Sequence, residues 1–480
     1  MSRRRVTDAL FLAALVSVSF IGLRWRLAGI EPKLADFLMV GFVVAFVAEA
    51  ATQRRRPTRP AVAVLGFAAA LAVAYVAAAP VIDGRAERVQ YCKGLVYFVV
   101  HFAFLAAGID LLASRPPRFF RLAFGCLLVG LAANGAYGGL QLIAAAAGHN
   151  LDASALSQLT GRPARSLSYG LMFGPDTPRA RGLTRDPNHL AAMLLIPTLA
   201  LVALSARLPE LRRPRAGAAA LTGLLVVLAL TLSRSAGVGL AAGVLFLVLR
   251  DGRRLLCRAV LVPAAGSVCI LAVIATNAET FERVLGARLG IYGFAGRQHF
   301  RTYELIRPAL SEHPLFGVGL NNFNLTYAQR ILGVREASHS FYVQSLIETG
   351  ILGTAVFALF LAYVFYRLHA LDDLARPHDA YRLKALASAL GAALVATLVA
   401  NVFYMTMSFS YFFAFLIFVV AAVDASVPQP VCASGVDPSS VTGAKLPRGS
   451  ATVSVSLRLF PTRARLRRGG SCEAPAGSPR

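Results

Sequence analysis

The sequence GLVYFVVHFAFLAAGIDLLAS at residues 94–114 decides the fold class. Its only ionised or imidazole side chains are Asp110 and His101. A helix needs about 20 such residues to cross a hydrocarbon layer roughly 30 Å thick, and runs of this kind recur about a dozen times. The chain of 480 residues is 56% hydrophobic and 15% charged. Because the runs do not alternate residue by residue as membrane β-strands do, we predict an all-α polytopic membrane protein.

About twelve transmembrane helices are predicted. The first run follows Arg3, Arg4 and Arg5 without a small-x-small cleavage site, so we expect a retained span rather than a signal peptide. Lys and Arg concentrate in the short loops of one side, which the positive-inside rule places in the cytoplasm together with both termini. The predicted spans are 7–23, 34–51, 61–81, 94–114, 122–146, 189–206, 217–233, 235–250, 259–276, 341–366, 385–405 and 408–424.

The formal net charge of +25 could indicate nucleic-acid binding, but its location argues against it. A basic inner face attracts anionic headgroups, so we expect membrane lipids as partners and no nucleic acid. The six cysteines form no CxxC motif and have no histidine at ligand spacing, which predicts neither a metal site nor a disulfide framework. Nothing in the sequence requires a cofactor.

Two connections on the outer side are too long to be turns, at about residues 148–188 and at 277–340. Both contain aromatic and apolar residues, so we expect ordered segments. Residues 1–276 are predicted to hold spans 1–9, residues 277–340 a partly helical periplasmic segment, and residues 341–424 the last three spans. Residues 425–480 are rich in Pro, Gly, Ser and Arg, which predicts a disordered basic cytoplasmic tail.

The first outer segment ends in RARGLTRDPNHL (179–190). Its alternating arginines, including Arg181, could bind phosphate oxygens in a bidentate manner or could anchor to lipid headgroups. Asp186 and Asn188, on either side of Pro187, predict a turn and a helix N-cap.

Arg234 is the centre of the very short connection Ser233-Arg234-Ser235 between spans seven and eight. A guanidinium at this depth usually faces the bundle interior or a polar cavity, which makes Arg234 a candidate functional residue. Snorkelling to the outer headgroups is the alternative.

The second outer segment contains a predicted helix on which Arg297, Arg301 and Glu304 share one face. This face could be solvated, or it could direct Arg297 into a site. The glycines of FGVG (316–319) allow a tight turn or a close backbone approach.

His339 begins span ten between two serines. The ordinary pKa of histidine, about 6.5, suits general acid-base catalysis. A lone histidine at a membrane boundary is more often interfacial, so the residue alone leaves both interpretations open.

Five stretches in order resemble the O-antigen ligase family of bacterial envelope proteins, which includes O-antigen and exopolysaccharide polymerases. They are GLTRDPNHLA (182–191), LSRS (232–235), GR (296–297), HPLFGVG (313–319) and HSFYVQSLIETGILG (339–353). The resemblance covers about residues 180–355 in motif order, and the twelve-span layout agrees with it.

The resemblance implies a metal-independent, inverting glycosyltransferase of the bacterial inner membrane with a periplasmic active site. It would take a glycan from an undecaprenyl diphosphate carrier and pass it to lipid A-core, or to a second lipid-linked glycan in a polymerase. By matching motif, Arg234 and Arg297 would hold the diphosphate, Arg181 would be a third cation, and His339 would be the base.

Arg301, Asn188 and Ser340 are possible supporting residues. Ser340 stands where the family commonly has asparagine, so a role that depends on that amide is in doubt.

A flippase or transporter for a lipid-linked glycan would also have about twelve spans. It should carry several charges deep within its spans. The spans here are nearly uncharged and the polar motifs lie on one side, which favours an enzyme.

Overall fold

The structure is a computed structural model that describes most of the predicted spans. The described residues are 3–25, 31–152, 159, 179–184, 186–208, 214–252, 260–261, 264–268, 272, 302–323, 327–332, 338–375 and 380–426. Most of the predicted ninth span (259–276) and of the segment 277–301 lies outside them. The chain divides into residues 1–429 and a second unit, residues 430–480. Apart from residues 425–426, which end the last helix, the predicted disordered tail also lies outside the described residues.

All regular structure in the described ranges is helical, apart from one isolated β-bridge between Arg24 and Lys33. The α-helices are α1 (Arg3–Ser17), α2 (Leu34–Thr52), α3 (Arg59–Ala77), α4 (Arg85–Ser114), α5 (Pro117–Ala146), α6 (Pro187–Arg207), α7 (Pro214–Leu230), α8 (Arg234–Asp251), α9 (Ile306–Glu312), α10 (Ala328–Leu332), α11 (Phe341–Leu374), α12 (Tyr381–Ala400) and α13 (Ser410–Ser426).

Within the described residues, seven helical stretches are long and apolar enough to cross a membrane, and two shorter apolar helices accompany them. The prediction of an all-helical polytopic membrane protein is therefore confirmed in this coarser form. The seven are Leu34–Thr52, Arg59–Val81, Arg85–Ser114, Pro117–Ala146, Pro187–Arg207, Phe341–Leu374 and Tyr381–Ala400, and the shorter two are Ala216–Leu230 and Ser410–Ser426.

The centre of the bundle is formed by α6, α12 and α13, whose side chains are buried on nearly every face. Helix α12 packs against both α6 and α8, and α13 packs against α4 and α11. Outer helices such as α2 and α3 instead expose Val44 and Val73. Apolar side chains that face outward from an apolar helix are expected where lipid is the solvent.

One end of the bundle is closed by ion pairs whose carboxylates are buried. Arg115 bonds Glu49 at 2.9 Å, and Arg55 bonds Asp110 at 2.5 Å. The two carboxylates near span ends thus each have an arginine partner, which offsets the cost of removing their charge from water. We call the opposite end, where α6 begins, the Asp186 end.

Candidate active site

The segment 179–186 is fixed to the bundle by a buried ion pair at the Asp186 end. The Arg181 guanidinium is paired with the Asp152 carboxylate, and both side chains are buried. Asp152 also accepts hydrogen bonds from the Tyr137 hydroxyl at 3.0 Å and from the Gln141 amide at 2.8 Å. The charge of Arg181 is therefore already balanced, and the pair holds the segment against α5.

Three further hydrogen bonds fix the backbone of this segment. The side-chain oxygen of Gln141 accepts the Gly182 amide at 2.8 Å, and that of Asn134 accepts the Leu183 amide at 2.6 Å. The Leu183 carbonyl in turn accepts the amide of Gly22 at 2.6 Å. Because buried backbone groups need partners, these bonds leave the segment little freedom before α6 starts.

Arg179 connects the segment to the turn that carries Arg234. Its Nε donates to the Thr231 carbonyl at 2.8 Å, and its Nη2 donates to the side-chain oxygen of Asn188 at 3.3 Å. The Ala180 amide also donates to the Leu230 carbonyl at 3.2 Å. Asn188 therefore supports the position of Arg179.

Arg234 is the first residue of α8, and its side chain is exposed. Ser233 caps the helix by accepting the Ala236 amide at 3.5 Å. No ion pair or hydrogen bond joins the Arg234 guanidinium to any residue that the structure describes. The positive charge therefore stands at a helix N-terminus, the end at which the helix dipole favours anions.

His339 is half-buried just before α11, between two serines that organise the turn. The Ser338 hydroxyl bonds the carbonyl of Ser340 at 2.7 Å, and the Ser340 hydroxyl caps α11 by accepting the Val343 amide at 3.4 Å. The Phe341 amide donates to the carbonyls of Asn401 and Tyr404, each at 3.1 Å. The start of α11 is thus attached to the connection between α12 and α13.

Asp186, Tyr404 and His339 come together at this point. The Tyr404 hydroxyl is hydrogen-bonded to the Asp186 carboxylate and to Asn188; burial, and after it the Asp186 charge, raises the pKa of Tyr404 well above its usual value. Burial lowers the pKa of His339, and the Asp186 carboxylate opposes that shift. The His189 ring packs against Tyr404, with centroids 5.2 Å apart.

Helix α11 is broken at Gly350, whose backbone is not helical, and the segment that contains HPLFGVG lies directly on this break. The Val318 amide donates to the Ile347 carbonyl at 3.0 Å, and the Gly319 amide donates to the Glu348 carbonyl at 3.0 Å. A Cβ at Gly317 would lie 2.4 Å from the Ile347 carbonyl oxygen, and one at Gly350 would lie 2.4 Å from the Leu315 oxygen. The predicted close backbone approach is therefore present. It depends on a glycine on each side, Gly317 in the HPLFGVG segment and Gly350 in α11.

Glu348, fully enclosed at the same break, holds the end of this segment. Its Oε1 accepts the Phe323 amide at 3.1 Å and the Gln344 side chain at 2.9 Å. The Asn321 side chain reaches the Gln90 carbonyl on α4 at 3.0 Å. These contacts join α11 to α4 through the segment.

The sequence prediction thus finds part of this cluster. Asp186 is the N-cap of α6, as predicted, because its Oδ1 accepts the Asn188 amide at 2.7 Å. Arg297 and Arg301 lie outside the described residues, so their predicted roles stay predictions. Tyr404 was missed, since it lies in an apolar stretch with no motif of its own. Among the described residues, no group of three or more His, Cys, Asp or Glu side chains could hold a metal ion.

These features define a multi-pass membrane protein with a polar cluster at one end of its bundle. Residues 217–358 match the model of the O-antigen ligase family, so the chain carries a domain of that family. The matched region contains Arg234, Gly317 and His339, whereas Asp186 and Tyr404 lie outside it. No curated protein sequence matches the chain. The family implies a glycosyltransferase of ligase or polymerase type that acts on lipid-linked glycans in polysaccharide assembly.

Proposed function

We propose that the protein transfers a glycan from undecaprenyl diphosphate to an acceptor at the periplasmic face of a bacterial inner membrane, with lipid A-core as the favoured acceptor. The observation that carries the proposal is the half-buried His339 at the start of α11, on which the Asp186 charge acts, inside a chain whose residues 217–358 match the O-antigen ligase family. The exposed Arg234 at the N-terminus of α8 supports it as a cation for the diphosphate.

The reaction needs one base and a stabilised leaving group. The acceptor hydroxyl oxygen attacks the anomeric carbon, and the hydroxyl proton passes to the His339 imidazole. The bond between that carbon and the diphosphate oxygen breaks, and the diphosphate leaves with the electron pair. Attack opposite the leaving group inverts the anomeric centre. Arg234 and Arg297 would stabilise the charge on the diphosphate without a metal, with Arg301 in support.

The roles of the other predicted residues follow from their contacts. The Arg181 guanidinium could reach a diphosphate only if its pair with Asp152 opened. We therefore propose that Arg181 supports the site chiefly by fixing the segment before α6. Asn188 supports it through Arg179, and Ser340 supports it by capping α11.

The proposed topology has twelve spans with both termini in the cytoplasm. Described helices overlap eleven of the predicted ranges, which supports the proposal, and the ninth range falls largely on residues that the structure does not describe. The carboxylates Glu49 and Asp110 are paired with arginines at the end opposite the cluster. They are not spread along a path through the bundle, as the alternative of a flippase would require.

A polymerase of the same family would use the same residues with a second lipid-linked glycan as acceptor. A deletion strain analysed on an envelope polysaccharide gel distinguishes the two. Free lipid A-core together with intact carrier-linked polymer is expected for a ligase. Single-repeat capping or loss of exopolysaccharide would identify a polymerase, and an unchanged envelope would contradict the proposed function.

A further inference from the structure

We propose that Asp186 is a positioning residue for the transfer, whose carboxylate, held by the Tyr404 hydroxyl, balances the charge of the His339 imidazole when it takes the acceptor proton. The inference rests on the proposed function, in which His339 is the base. It assigns a role to the DPN sequence outside the region matched by the family model.

Three separate parts of the chain build this arrangement. Asp186 ends the segment that Arg181 fixes to α5 and caps α6 through the Asn188 amide at 2.7 Å. Tyr404, from the connection between α12 and α13, bonds Asp186 through its hydroxyl. The carbonyl of the same tyrosine accepts the Phe341 amide at 3.1 Å, two residues beyond His339. One residue, Tyr404, therefore sets the position of both the carboxylate and the histidine.

The charges around Asp186 and His339 favour the role of Asp186 as a positioning residue. Among the described residues, Asp186 is the charged group that acts on the His339 imidazole, and it raises a pKa that burial lowers. Arg179 faces Tyr404 and acts on its pKa in the sense opposite to Asp186. The His189 ring packs against the Tyr404 ring at 5.2 Å between centroids. A base in a half-buried site gains a charge as it works, and an adjacent carboxylate stabilises the imidazolium.

A purely structural role for Asp186 makes different predictions. Asparagine caps a helix about as well as aspartate, so Asp186→Asn keeps the cap of α6 and removes only the charge. Asp36→Asn is a matched control, because Asp36 accepts the Lys33 amide at 2.9 Å at the start of a different helix, α2. Tyr404→Phe removes the hydroxyl that holds Asp186. It leaves in place the backbone bond from the Phe341 amide to the carbonyl of residue 404.

The pKa of His339 can be measured without activity. Full-length protein in detergent is acylated with diethyl pyrocarbonate, which reacts with neutral imidazole, at a series of pH values, and the peptide that contains His339 is quantified by mass spectrometry. Because Asp186 raises this pKa, Asp186→Asn should move the midpoint of the plot of His339 acylation against pH to lower pH. Asp36→Asn should leave that midpoint unchanged. Tyr404→Phe should alter the midpoint while the protein remains inserted.

Transfer activity provides the second measurement, with the donor and acceptor both extracted from a strain that lacks the gene. Asp186→Asn should lower the turnover at least about tenfold and move the acid limb of the pH profile to lower pH. An unchanged midpoint and an unchanged limb would overturn the role of Asp186. If His339→Ala were fully active while the midpoint still moved, the proposed function would fail, although the contact between the two residues would stand.

Discussion

The backbone amide of Phe341 donates to the carbonyl oxygen of Tyr404 at 3.1 Å, and this bond joins the start of α11 to the connection between α12 and α13. Phe341 lies two residues after His339, so the bond limits where that imidazole can be. Tyr404 also bonds the Asp186 carboxylate. The candidate base therefore depends on a part of the chain that lies after the family match at 217–358.

Replacement of His339 by alanine should abolish most glycan transfer and leave the protein inserted and stable. Loss of a general base costs about 10²–10⁴-fold in rate, and the side chain is only half-buried. Transfer in membranes and protein abundance by immunoblot are the measurements. Full activity of His339→Ala would contradict its assignment as the base.

Replacement of Arg234 should reduce transfer without loss of stability, because its exposed guanidinium has no described partner to leave unpaired. Removal of one group that stabilises the leaving charge costs about 10²–10³-fold. Arg85→Ala is a matched control, since Arg85 is also exposed and also begins a helix. Equal activity of the two variants would remove Arg234 from the site.

Arg181 can be tested as an anchor against its prediction as a diphosphate ligand. Arg181→Ala leaves Asp152 as a buried, unpaired carboxylate, which costs about 3–5 kcal/mol when one partner of a buried pair is removed. We expect lower thermal stability in detergent, and partial recovery in the double variant Arg181→Ala with Asp152→Asn. If transfer fell while thermal stability stayed the same and the double variant recovered nothing, Arg181 would instead be a ligand of the diphosphate.

The cluster was only partly predictable from sequence, for physical reasons. The cap at Asp186 follows from local chemistry, because aspartate is a preferred N-cap residue and proline is favoured at the first helical position. The proximity of Asp186 to His339 depends on how α6 and α11 pack. Apolar helices have similar compositions, so their sequences do not indicate which helices pack together. Tyr404 lies between two apolar helices and resembles an ordinary interfacial aromatic residue.

The proposed orientation of the membrane part can be tested with reporter fusions. A periplasm-active reporter joined after Arg283 should be active, and one joined after Arg254 should be silent, because basic short loops stay in the cytoplasm. The reverse pattern would rule out the proposed orientation and would move the cluster at the Asp186 end to the cytoplasmic face.

Replacement of Gly317 or Gly350 by alanine should destabilise the protein and reduce transfer. Both glycines have positive φ, at 70° and 64°, and an added Cβ would lie 2.4 Å from a carbonyl oxygen of the facing segment. The strain should exceed about 1 kcal/mol, and it should displace the segment bearing HPLFGVG from the break in α11. Gly66→Ala is the control, because nothing lies within 4 Å of a Cβ there and alanine favours a helix. Thermal midpoints in detergent should fall for the Gly317 and Gly350 variants and hold or rise for Gly66→Ala. Equal midpoints in all three would mean that the HPLFGVG segment and α11 do not depend on their backbone contact.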